Sequence, residues 1–163
     1  MKRVLGIDPG LSRCGYGVIE VARPHGRAIA AGVIRTEPGV PIPQRLARLQ
    51  REVAALVDEY RPDVVAVERV LFQVNVSTAM GVGQASGVVM ACAAQAGCEV
   101  SEYSPNEIKL AVTGWGGANK EQVIAMVRSQ LNISAELKPP DAADALAVAM
   151  CHLAQSPALV APQ

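Results

Sequence analysis

Val64-Val65-Ala66-Val67-Glu68 is a continuous apolar run that stops abruptly on an acid. A short run with no polar residue inside it reads as a strand buried on both faces, the mark of a central parallel strand. Upstream of it, Leu46, Leu49, Val53, Leu56, Val57 and Tyr60 recur at helical spacing until Arg61-Pro62 ends the pattern. A helix leading into a buried strand predicts an α/β domain. Further upstream, Val4 to Ile7, Tyr16 to Val21 and Ala28 to Ile34 are strand-like and joined by Pro- and Gly-containing connections, so they predict a three-strand meander. Downstream, Ser77 to Ala96 is helical but built of small residues, among them Gly81, Gly83, Ala85, Ser86, Gly87, Ala91, Ala93 and Ala94. Another backbone can approach such a helix closely, either the sheet beneath it or a second copy of the chain. Glu99 to Ser104 is a fifth strand, Pro105 to Val112 a short helix with proline at its start, and Thr113 to Asn119 a glycine-rich loop. Lys120 to Leu131 and Asp141 to Leu153 complete the helices. The expectation is a mixed five-stranded sheet flanked by helices, one domain over residues 1–155 with a tail at 156–163.

At 163 residues the chain is long enough for one domain and too short for two. Half of it is apolar and 3% aromatic, so the core must be made of Val, Ala, Leu and Ile, which excludes disordered and collagen-like classes. Cys14, Cys92, Cys98 and Cys151 form no C-x-x-C pair, and with only His25 and His152 they speak against zinc and read as reduced thiols. No apolar run is expected to reach the length of a membrane span, and Met1-Lys2-Arg3 leads straight into a strand, which predicts a cytoplasmic protein. Basic and acidic residues number 15 each, but all basic residues after Val70 are Lys109, Lys120, Arg128 and Lys138; the earlier ones are mostly arginines. A neutral total can therefore conceal a basic face.

The acids carry the chemistry. Asp8 ends the first strand and Glu68 the fourth, where an α/β domain assembles a site from residues distant in sequence. Read singly, each is an ordinary turn aspartate or strand terminus. Asp141-Ala142-Ala143-Asp144 follows Pro139-Pro140 and opens an apolar helix, so its acids share one face of the first turn; a capping and dipole role is the plain alternative. Four clustered acids would repel unless divalent cations joined them, and an all-oxygen set favours magnesium or manganese. No Ser/His/Asp arrangement competes: Gly83-Gln84-Ala85-Ser86-Gly87 misses the G-x-S-x-G spacing, Gly114 to Lys120 fails as a phosphate loop, and His152 is read as structural.

These residues carry a resemblance. Gly6-Ile7-Asp8-Pro9-Gly10, Gly15-Tyr16-Gly17-Val18-Ile19, Val67-Glu68, Gly83-Gln84-Ala85, Lys109, Lys120 and Asp141-Ala142-Ala143-Asp144-Ala145-Leu146-Ala147, in that order, resemble the RuvC family of Holliday-junction resolvases over nearly the whole chain. The resemblance implies an RNase H-like fold, a homodimer and magnesium-dependent cleavage of four-way DNA junctions in recombination and repair, in company with a branch-migration motor. It implies Asp8, Glu68, Asp141 and Asp144 as ligands of two Mg2+ ions, with Mn2+ as a substitute, and Lys109 and Lys120 beside the phosphates. Two metal ions would also neutralise the acids and leave an Arg-rich surface for DNA. The family's junction-centre aromatic stands one place later here, at Phe72 rather than Leu71. The first turn of the helix that follows lacks the basic residues of relatives, which weakens the expected DNA affinity or shifts the contacts to Arg13 and Arg69; Trp115 is either a stacking residue or a partly buried anchor. Gly83, Gly87 and Ala91 are the expected dimer contacts. Two other classes remain open at this stage: an actin-like ATP-binding module, which shares the Gly-Ile-Asp-x-Gly start, and a catalytically silent RNase H-like binding domain.

Overall fold

A computed structural model of the chain describes residues 2–22, 24–71 and 75–156. Three strands, β1 (Arg3–Asp8), β2 (Arg13–Glu20) and β3 (Arg27–Arg35), form the expected antiparallel meander, and α1 (Ile42–Tyr60) returns the chain to β4 (Val64–Glu68). Then come α2 (Val76–Gln95), β5 (Glu99–Tyr103), α3 (Pro105–Thr113), α4 (Lys120–Gln130) and α5 (Pro140–Gln155). The sheet order is β3-β2-β1-β4-β5, with β4 parallel to both β1 and β5. It is the only sheet among the described residues, so the second half that an actin-like nucleotide clamp requires is not part of it.

Strand alternation divides the core into two layers. Leu5, Ile7, Val65 and Val67 point to one face and are sealed by α1 and α2 through Leu49, Val53, Ala85 and Val89. Val4 and Ala66 point to the other face, which α3, α4 and α5 cover through Ile108, Val127, Leu146 and Val148. Every residue of α5 from Ala145 to Leu153 is buried. A helix apolar on all sides belongs in the middle of a layer, and α5 lies mainly across β1 and β2 and reaches β3 and β4 on either side.

One expectation needs correction. α2 is long and apolar enough, by length and composition alone, to cross a membrane. Its alternating Gly, Ala and Ser had disguised that, because small residues do not read as an apolar run. It lies on the sheet with Ala79, Ala85, Val89, Cys92 and Ala93 buried, while Val76 and Met80 on its outer side are exposed.

Candidate active site

Period-two alternation sends Asp8 to the same face as Val4 and Gly6, and Glu68 to the same face as Val64 and Ala66. The parallel register Ile7↔Val67 brings the two acids side by side at the ends of neighbouring strands, beneath the start of α5. The remaining acids arrive by a contact without side chains. Gly15 on β2 stands opposite Asp8. A Cβ at Gly15 would collide with the carbonyl oxygen of Asp141 and lie 2.8 Å from its carbonyl carbon. Gly6, opposite Gly17, is covered just as closely by the Ala145 carbonyl and by Ala149, and Gly17 by Leu146. A glycine floor therefore lets the helix backbone settle onto the sheet backbone and sets Asp141 next to Asp8.

The first turn of α5 removes the capping half of the plain alternative for its acids. The N-cap is Pro139, with no side-chain capping bond, so Asp141 does not cap the helix. Its Oδ2 accepts from Arg13 Nη2 at 2.5 Å, and Asp144 Oδ2 accepts from Lys120 Nζ at 2.9 Å. Lys120 opens α4, whose cap is Asn119 in a capping box with Gln122. A cation in a first helical turn opposes the helix dipole, so the acids of the site, not α4, account for it. Lys109 on α3 faces Glu68 closely enough for its charge to act on that carboxyl.

The electrostatics are those of an under-neutralised acid cluster. Burial, then the charge of Glu68 and a hydrogen bond with it, then Asp144 and Asp141, raise the Asp8 pKa to about 9. Burial likewise raises Glu68, while the hydrogen bond from Asp8 and the charges of Lys120 and Lys109 pull it down. The two carboxyls thus titrate as a pair that shares a proton above the ordinary carboxylate range. Lys120 is raised, first by its bond to Asp144. Among the described residues no three His, Cys, Asp or Glu side chains are drawn together tightly enough to hold an ion as they stand. Arg13 and Lys120 occupy Asp141 and Asp144 instead. The donor set still suits a hard divalent cation: carboxylate oxygens only, with a neighbouring pair that cannot both ionise without added positive charge.

A pH dependence follows. Asp8 binds its proton more tightly folded than unfolded, so its stabilising contribution is complete below 3.8 and is lost as pH rises through about 9. In chelator, the melting temperature should fall as pH rises between these values; Asp8→Asn should flatten that slope and raise the melting temperature at pH 8. Melts across pH 5 to 9 check this, and a wild-type profile as flat as the variant's would refute it.

The other candidates are placed as follows. Arg69 is exposed directly after Glu68 and, with Leu71, Asn75, Thr78 and Pro105, borders a cleft of about 410 Å³ beside Asp8 and Glu68. Trp115 is 60% exposed with its ring over Gly117, so it is no buried anchor. Gly87 and Ala91 are exposed, Gly83 is half-buried, and neither glycine meets a neighbour. Phe72 and the tail beyond Ser156 lie outside the described residues. Sequence reading missed Arg45, which is buried on α1 and holds Thr36 Oγ1 (2.9 Å), just past β3, and Ser12 Oγ (2.7 Å), in the turn between Asp8 and Arg13. It also missed the glycine floor, although glycines inside strands signal close backbone approach.

The chain is similar to known proteins over most of its length. The family model described as crossover junction endodeoxyribonuclease RuvC matches residues 4–152. Crossover junction endodeoxyribonuclease RuvC of Salinispora arenicola is 55% identical over 153 residues, covering 93% of this chain and 87% of that protein. Among solved structures, Thermus thermophilus RuvC superposes with a TM-score of 0.88 at 36% identity over 96% of each chain. The structure of T. thermophilus RuvC in complex with Holliday junction substrate superposes with a TM-score of 0.91 at 35% identity over 98% of each. The mixed sheet is therefore of the RNase H-like type. A match that runs from β1 to the later turns of α5, and that joins sequence to fold, leads to one assignment: the chain belongs to the RuvC family of crossover junction endodeoxyribonucleases.

Proposed function

We propose that this endodeoxyribonuclease cuts four-way DNA junctions by hydrolysis at Asp8, Glu68, Asp141 and Asp144, which hold two magnesium ions, manganese being an alternative. The observation that carries the reading is the placement of Asp8 and Glu68 at neighbouring strand ends beneath the first turn of α5, where burial first raises both carboxyls and an added cation would relieve the pair. When bound, the ions supply a nucleophilic water and charge stabilisation at the phosphate. The protein's own part is placement. Strand ends fix Asp8 and Glu68, the glycine floor fixes Asp141 and Asp144, and Lys120 and Lys109 direct positive charge toward the phosphate. Arg13, Arg69 and the exposed Trp115 are the residues offered for DNA backbone and stacking contacts.

The uncharged outer side of α2 supports a homodimer through Gly83, Gly87 and Ala91, bordered by exposed Val76 and Met80. A two-fold axis would present one site to each of two opposed strands, as paired nicks require. A branch-migration motor as partner follows from family membership.

Single-turnover cleavage of a four-way junction at saturating protein, in Mg2+ and in chelator, tests the reading; cleavage in chelator would refute it. In the same assay Lys120→Ala separates two roles. If Lys120 stabilises charge at the reacting phosphate, the rate should drop even at saturation, by about 100-fold. If it only grips backbone, the rate should recover and the salt slope of binding should shrink by about one.

A further inference from the structure

We infer that Tyr103 and His152 form a buried clamp that sets the spacing between the Glu68 side of the site and the Asp141 and Asp144 side, and so act as positioning residues. The inference rests on the four-acid reading above.

Tyr103 is the last residue of β5 and stands opposite Glu68 in the parallel register. Its carbonyl accepts the Arg69 N–H at 2.8 Å, so the main chain leaving Glu68 is fastened to it. The next residue, Ser104, caps α3 in a reciprocal box with Glu107, and α3 carries Lys109. Tyr103 therefore anchors the backbone of one acid and the entry to the helix of one lysine. Its side chain turns toward α5, where the hydroxyl lies 2.7 Å from His152 Nδ1 and the two rings meet edge to face at 5.9 Å. His152 follows Asp144 by eight residues on one unbroken helix, about 12 Å along its axis. The single bond thus ties the β5 side of the site to the helix that bears the other two acids.

Stability alone does not account for the pair. His152 is 2% exposed, in a helix whose other buried residues are Ala, Leu, Val, Met and Cys, and its Nε2 is buried with no partner. An apolar residue of similar volume would pack there without stranding a nitrogen. What an apolar residue cannot do is fix a direction. Outer partners that orient the residues around a metal typically change metal affinity or activity by about 10-fold to 100-fold.

Tyr103→Phe and His152→Leu should each weaken Mg2+ binding, measured by titration calorimetry with Mg2+ alone, and slow single-turnover cleavage by about 10-fold to 100-fold. Affinity for a four-way junction in chelator should stay unchanged. The double variant Tyr103→Phe/His152→Leu leaves no stranded partner, so it should regain melting temperature without regaining Mg2+ affinity or rate. His152→Asn, whose amide can stand where Nδ1 stands, should restore both. A double variant with wild-type Mg2+ affinity and rate, or a His152→Asn as impaired as His152→Leu, would overturn the clamp. Asp144→Asn in the same experiments keeps the two readings apart. If it still binds Mg2+ and cleaves, the four-acid reading fails and the clamp with it; if it is inert while Tyr103→Phe is unimpaired, the clamp alone fails.

Discussion

Asp144→Asn should slow single-turnover cleavage of a four-way junction by more than about 100-fold, beyond the range typical of residues that only support a metal site, while junction binding stays as tight or tightens. The two effects have opposite signs because the carboxylate has two physical roles. As an oxygen donor it is needed where positive charge must be held. As a negative charge near a polyanion it opposes binding, and it also ties up Lys120 at 2.9 Å. The amide keeps the shape, removes the charge and releases the ammonium for phosphate. Parallel measurement of rate at saturating protein and of affinity at several salt concentrations checks this. A loss of affinity equal to the loss of rate would show that Asp144 supports folding or DNA contact rather than chemistry.

Gly6→Val should lower the melting temperature by roughly 6 to 12 °C, corresponding to about 3 kcal/mol of overpacking in a domain of this size, or abolish folding. The position faces the Ala145 carbonyl and the Ala149 nitrogen, backbone atoms of a helix that cannot turn aside as a side chain can. Lifting α5 would separate Asp141 and Asp144 from Asp8, so any folded fraction should also lose Mg2+ stabilisation. Gly39→Ala, which meets nothing within 4 Å, is the control and should leave both quantities unchanged. A Gly6→Val protein with the wild-type melting temperature would disprove the contact.

Much of this was legible in the chain because the signals were local. The break from period two to helical period after Ile34, the run from Val64 to Val67 and the prolines at the starts of α3 and α5 placed the elements to within a few residues. The four acids were legible because each sits where an apolar segment ends or begins. Their charge partners were not. Nothing in the spacing of Arg13 and Asp141, 128 residues apart, announces an ion pair. His152 read as structural because a lone histidine in an apolar helix carries no spacing; its bond to Tyr103 depends on β5 lying beside β4, a matter of sheet order. The transmembrane-like composition of α2 was missed for a related reason: small residues say that something comes close without saying what.

The glycine floor also bears on how the site behaves with time and temperature. Most contacts between a helix and a sheet run through side chains, which have alternative rotamers through which the layers can adjust to one another. Where α5 crosses Gly6 and Gly15, peptide groups rest on peptide groups, and there is no rotamer to exchange. Warming should loosen the apolar layer under α1 and α2 well before it changes the separation of Asp141 from Asp8. The distance from Asp141 to Asp8 is thereby set by backbone resting on backbone rather than by the fit of side chains.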